Sequence, residues 1–149
     1  MASLTAATVV RKASDETVNN SSTLQDDDDL LITMGANEVW YFEAMLIFTS
    51  NGTADFKMAF TVPSGATLEA VGVGKEPGGA DARVRRLIGS ASSESYDGSA
   101  TTEDSVIVKG TVRVGGTAGN LQLQWAQNTA DASDTKLLTD SWLMGARES

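Results

Sequence analysis

An alternation of period two, recurring in four separate stretches, constrains this chain more than any other feature. Phe56-Lys57-Met58-Ala59-Phe60-Thr61-Val62 puts Phe56, Met58, Phe60 and Val62 on one side and Lys57, Ala59 and Thr61 on the other. That is a strand with one dry face. Residues 106–114 repeat the pattern with Val106, Val108, Val112 and Val114 in phase, and Leu121-Gln122-Leu123-Gln124-Trp125 is apolar at its odd positions. Between these two, Gly115-Gly116-Thr117-Ala118-Gly119-Asn120 supplies residues suited to positive φ, so the pair reads as a β-hairpin. In residues 39–49 the even positions Trp40, Phe42, Ala44, Leu46 and Phe48 are all apolar, and the odd ones mix Val39, Tyr41, Met45 and Ile47 with Glu43. A strand partly covered on both faces fits this, the second cover being another subunit. Asn51-Gly52 then signals a turn into the strand at Phe56, a second hairpin.

Weaker strand patterns occupy 8–12, 30–34, 67–73, 84–88 and 141–146, and no long segment shows the 3.6-residue period of an amphipathic helix. Many short strands separated by turn signals, with only two prolines, predict an all-β fold, an antiparallel β-sandwich or jelly-roll. Trp40, Phe42, Leu46, Phe48, Phe56, Met58, Phe60, Val112, Leu123 and Trp125 form the expected core. Trp142 is also read as inward, in phase with Met144. Residues 74–82 and 90–104 read as long loops with too few apolar side chains to pack a core of their own. The 149 residues then make a single sandwich domain, with residues 1–12 as an N-terminal arm.

Composition removes whole classes of chemistry. With no Cys there is no disulfide framework, thiolate nucleophile or thiolate-bound metal, and with no His the commonest general base and metal ligand are missing. Binding is therefore the expected function, and no enzymatic activity and no cofactor are expected. The formal charge of −9 opposes nucleic acid and anionic membranes as partners, and favours solubility at high local concentration. No apolar stretch is long enough to span a bilayer, and Arg11 and Lys12 follow the weak apolar patch at the start, the reverse of the order in a secretory signal.

Asp26-Asp27-Asp28-Asp29 raises calcium as a ligand, but the alternate spacing, turn glycine and distal Glu of a calcium loop are missing. A carboxylate bonding local backbone N–H groups explains the run, and no metal site is assigned. Asp131-Ala132-Ser133-Asp134 is turn composition. Gly72-Val73-Gly74 and Gly115-Gly116 lack the Gly-Lys-Ser/Thr and following helix of a phosphate loop. No pair of acids stands out as a glycosidase pair. Arg83, Arg85 and Arg86 are the one basic cluster, read either as solvated edge charge or as an anchor onto an acidic protein surface.

Several phrases in order carry a resemblance: Ser21-Ser22-Thr23-Leu24-Gln25-Asp26-Asp27, Ala36-Asn37-Glu38-Val39-Trp40-Tyr41-Phe42, Ala54-Asp55-Phe56-Lys57, Pro63-Ser64-Gly65-Ala66-Thr67, Val108-Lys109-Gly110-Thr111-Val112, and the stretch from Gly116 to Asn128. Together they cover most of residues 6–147 outside the middle loops, and they resemble a β-sandwich module of tailed-bacteriophage virions. That resemblance implies a jelly-roll homotrimer without enzymatic activity, found at the ends of minor tail and fibre proteins or as a capsid decoration (cement) protein. The module begins near residue 6, with no attachment domain, coiled coil or collagen-like repeat ahead of it, which favours a decoration protein on the head shell. A tail-tip or fibre receptor-binding module is the alternative, and a small carbohydrate-binding protein the third. The expected partners are the major capsid protein and the chain itself, on the virion surface after synthesis in the host cytoplasm. Arg11, Lys12, Arg83, Arg85 and Arg86 are the candidate capsid contacts, with the N-terminal arm free to add to a neighbour's sheet edge. Val39, Tyr41, Met45 and Ile47 are the candidate subunit interface.

Overall fold

In the computed structural model, which describes residues 3–79 and 81–148, every helix or strand among those residues is a strand. In chain order they are β1 (Thr8–Arg11), β2 (Glu16–Val18), β3 (Gln25–Met34), β4 (Val39–Thr49), β5 (Phe56–Thr61), β6 (Thr67–Lys75), β7 (Ala82–Ile88), β8 (Ser93–Tyr96), β9 (Asp104–Arg113), β10 (Gly119–Gln127), β11 (Thr135–Leu137) and β12 (Trp142–Arg147). Met1 and Ala2 of the expected arm, Ala80 of the expected 74–82 loop, and Ser149 lie outside the described residues.

Four antiparallel pairs, β3 with β10, β4 with β9, β5 with β8 and β6 with β7, nest around the β6–β7 turn like one long hairpin. Rolled up, that hairpin delivers its strands to two sheets. One runs β3-β10-β5-β8, and the other contains β4-β9-β6-β7, extended past β4 by β12 and β1, with β11 and β2 continuing beside β4. This nested pairing is the jelly-roll form of the antiparallel sandwich, which makes the fold the all-β class that the alternation predicts.

All ten expected core residues lie in the layer between the sheets, where Phe48 stacks on Phe56 at 4.4 Å and Phe42 meets Phe60 edge-on at 5.2 Å. Aromatic pairs at such separations add to the burial of apolar area that holds the sheets together.

Neither expected hairpin forms. β4 and β5 lie in different sheets, as do β9 and β10, so both connections are arches over the end of the sandwich. At 51–52 the side chain decides: Asn51 Oδ1 accepts the N–H groups of Thr53 and Ala54, and Asp55, not Gly52, takes positive φ at 53°. A two-residue hairpin of the Asn-Gly type needs positive φ at both central residues. Gly115 and Gly119 likewise serve close approach. A Cβ on Gly115 would stand 3.0 Å from the Gly65 carbonyl oxygen, and one on Gly119 would stand 3.2 Å from Pro63.

Two further expectations change. Residues 90–104 include β8, the edge strand of the smaller sheet, and its Tyr96 is buried in the core. Its ring fills the space left by Gly72 and Gly74 of β6, where a Cβ would collide with the phenol. The N-terminal segment is no free arm: β1 pairs with β12 of its own chain, and Thr5 N–H donates to the Arg147 carbonyl.

Candidate binding surface

Because side chains alternate along each strand, the larger sheet has a second face, turned away from the core. Register aligns that face into rows. One row crosses six strands as Arg11, Trp142, Met45, Ile107, Val73 and Val84. Five of the six are apolar. The next row holds Val9, Met144, Glu43, Lys109, Val71 and Arg86, and beyond it lie Tyr41, Thr111, Glu69 and Ile88. The large hydrophobics on the protein's surface collect here: Val9, Tyr41, Val71, Val73, Val84, Ile88 and Ile107 are all exposed. A contiguous apolar patch of this kind marks an interaction surface.

The face is shallowly contoured. A groove of about 190 Å³ runs between Leu4, Tyr41, Glu43, Met144 and Ala146, and two depressions of about 180 and 250 Å³ lie around Glu69 and Thr111. Its charges are mostly paired: Lys109 Nζ sits 3.2 Å from Glu43 and Arg86 sits 3.8 Å from Glu69. Arg113, which lines one depression, has no ion-pair partner among the described residues. The cations of this face (Arg11, Arg86, Lys109 and Arg113) are offset in part by Glu43, Glu69 and Arg11's partner Asp140, so the face lacks the acid excess of a chain whose net charge is −9. The acid excess lies elsewhere on the molecule.

The structure redistributes the candidate residues. Val39, Tyr41, Met45 and Ile47 all lie on this outer face, Tyr41 exposed and the others half-buried. Arg11 joins them at one end of the first row, paired with Asp140, and Arg86 joins them near the other end. Arg83 and Arg85 alternate to the opposite side of β7, where Arg83 pairs with Glu76 at 3.1 Å and Arg85 lies 3.6 Å from Glu94. The three arginines are thus one edge strand's charges on two faces.

Lys12 is withdrawn from the set. It is 1% exposed, and its ammonium donates to Asp27 at 2.6 Å and Glu16 at 2.7 Å. Burial alone would lower the pKa of this lysine, but the bonds from Asp27 and Glu16 outweigh it and raise it. Asp27 in turn accepts the backbone N–H groups of Asp29 and Leu30, Asp29 accepts that of Ala13, and Asp26 accepts the side-chain Nε2–H of Gln124. The acidic run therefore ties β3 to the chain after β1 and to β10. Asp131 accepts Ser133 N–H and Asn51 Nδ2, a turn bond that holds its carboxyl below the usual range.

Trp142 and Met144 were expected inside and are outside. Leu143 and Gly145 take the inward positions of β12, so the apolar pair faces outward, beside Met45 and Glu43. Sequence alone missed this because Trp142 and Met144 look like any in-phase apolar pair. The signal lay in Leu143, whose opposite phase competes with theirs.

One buried acid cluster was not anticipated. Asp55, in the β4–β5 arch, accepts Gly98 N–H, and Asp97 accepts Gly78 N–H and pairs with Lys75. Burial pushes the Asp55 carboxyl above its ordinary range, with Asp97 adding to the shift. The cluster fastens three loops at one end of the sandwich.

The class defined by fold and surface is a jelly roll with an apolar, cation-bearing outer face. No protein-family model and no curated protein matches the chain. Among solved structures, it is similar to the VP2 subviral particle of infectious bursal disease virus, at 11% identity and a TM-score of 0.23 over 96% of this chain and 40% of that one. It is also similar to the Gt strain of the same virus, at 10% identity and a TM-score of 0.23 over 96% and 37%. The chain spans less than half the length of either, and overlaps so slight carry no functional argument.

Proposed function

We propose that this protein is a non-enzymatic structural component of a tailed-phage virion, a decoration protein that sits on the outside of the head shell. The observation that carries the reading is the outer face of the larger sheet: a continuous apolar row across five strands, without the acid excess of the rest of the domain. Such a face suits docking on a protein surface, with the acidic remainder turned to water, where like charge keeps neighbouring copies apart. The order of sequence phrases shared with virion sandwich modules supports the same assignment, as does the nested jelly-roll pairing, a form found in viral capsid and lectin domains.

The test is add-back. Purified protein is mixed with particles that lack it, and the particles are sedimented and imaged by electron microscopy. Added density over the head supports decoration; density confined to the tail tip moves the protein to the receptor-binding reading; no density on either refutes both.

A further inference from the structure

Strand β7 closes one end of the larger sheet, and nothing among the described residues pairs with its far side. The phase of its ladder can be read. Gly89 N–H donates to the Leu68 carbonyl at 2.9 Å and Glu76 N–H to the Asp81 carbonyl at 3.0 Å, and both pairs belong to the register that sets Arg85 opposite Gly72. In an antiparallel ladder, hydrogen-bonded pairs alternate with non-bonded ones. Arg83, Arg85 and Leu87 therefore turn their backbone groups toward β6. Val84, Arg86 and Ile88 turn theirs outward, to the open edge.

Open edges are usually blunted by charged side chains, or by proline, a bulge or short length, which close the edge to any partner strand. β7 has only the first of these: it runs seven residues without proline or a break in register. It does carry three arginines and no acid. A second β7 brought alongside antiparallel, with Arg85 or Arg86 at the centre, would set arginine against arginine, which disfavours self-pairing. Val84 and Ile88, 66% and 54% exposed, flank Arg86 on the outer face, and Arg86 is itself exposed and only loosely paired, 3.8 Å from Glu69.

We propose that β7 receives an extended acidic segment of a partner protein as an added antiparallel strand. Backbone bonds to Val84, Arg86 and Ile88 would supply the register, and side chains the selectivity. Apolar residues would stand opposite Val84 and Ile88, an acid opposite Arg86, and further acids opposite Arg83 and Arg85, where they would compete with Glu76 and Glu94. For the source of that segment, a shell protein, the inference rests on the decoration reading; its chemistry is read from β7 alone.

The probe is a capped, fluorescein-labelled peptide, Val-Ala-Glu-Glu-Val-Glu, with Val-Ala-Lys-Lys-Val-Lys as the control, followed by anisotropy at low salt. The acidic peptide should bind at least tenfold more tightly than the basic one and shift the β7 amide resonances. Arg86→Pro removes an outward N–H without breaking the β6 ladder. It should cut acidic-peptide binding at least tenfold while circular dichroism stays unchanged. Should that variant misfold, Arg83→Glu with Arg86→Glu leaves the backbone alone and should reverse the peptide preference. Equal binding of both peptides, no binding, or acidic-peptide binding unaffected in a folded variant overturns the proposal. Particles separate the two readings. Arg86→Pro protein that decorates like the parent refutes the β7 edge and spares decoration. If the parent fails to decorate yet binds the acidic peptide at β7, the reverse holds.

Discussion

Two polar side chains in the interior, Lys12 and Tyr96, set how this protein answers to pH and to substitution. Removing one member of a buried ion pair strands the other, so Lys12→Met is expected to cost about 3–5 kcal/mol, read by urea unfolding. Tyr96 is fully buried with no partner for its hydroxyl, and burial pushes its pKa up to about 12. Both groups have folded pKa values above their unfolded ones, so each contribution is whole below about pH 10 and is lost as pH rises through the folded value. For Tyr96 a shift of that size corresponds to about 2–3 kcal/mol lost by pH 12. Tyr96→Phe should therefore be neutral or stabilising at pH 7, since it deletes an unsatisfied hydroxyl, and should flatten the alkaline limb of a stability–pH curve. The same substitution should rescue Gly72→Ala, whose new methyl meets the hydroxyl, more than Gly74→Ala, whose methyl would lie 2.6 Å from the ring. Unfolding of the two double mutants measures that difference.

Among the elements, β4 carries the most testable face. Met45 stands mid-row between Trp142 and Ile107, so Met45→Glu places a charge where a partner would cover it. Secondary structure should be kept, while self-association or particle attachment falls at least tenfold by sedimentation. The outward apolar phase of this strand was legible in the sequence because its two faces differ in composition, and so were the ten core residues. What the sequence did not carry was which strand each one meets. Asn51-Gly52 and the glycines at 115–119 are compatible with a hairpin or an arch, and the choice lay in contacts made far along the chain, such as Gly115 against Gly65. The short strands β2, β8 and β11 escaped notice because three or four residues hold too few alternations to register. Lys12 escaped for a different reason. A lysine next to an arginine reads as surface charge until Asp27 and Glu16 are folded around it.

At the scale of the whole molecule, truncation separates the two ends of the N-terminal segment. Deleting residues 1–7 leaves β1 intact and removes only the Thr5–Arg147 bonds and the Leu4–Glu148 bridge, so it should cost about 1–2 kcal/mol. Deleting 1–12 removes an edge strand together with the partner of Asp27, and should cost several kcal/mol by the same buried-pair argument. Loss of particle attachment in the shorter deletion alone would then report contact, not stability. The trimer implied by the sequence resemblance is expected to appear in a native mass spectrum of the parent and to be missing from that of Met45→Glu. A parent that is monomeric at assembly concentrations rules out an intrinsic trimer and leaves the face to the shell.

Leu4 bridges to Glu148, and β1 lies along β12. Leu4 and Glu148, near the two limits of the described residues, therefore lie at one margin of the larger sheet, whose outermost strand β1 is five strand spacings from β7, about 24 Å at 4.8 Å per strand. For an engineer this makes the domain a two-socket adaptor. A fluorophore, enzyme or epitope fused at either end would hang from the margin opposite the open strand, and a short linker could carry cargo between the sockets without approaching it.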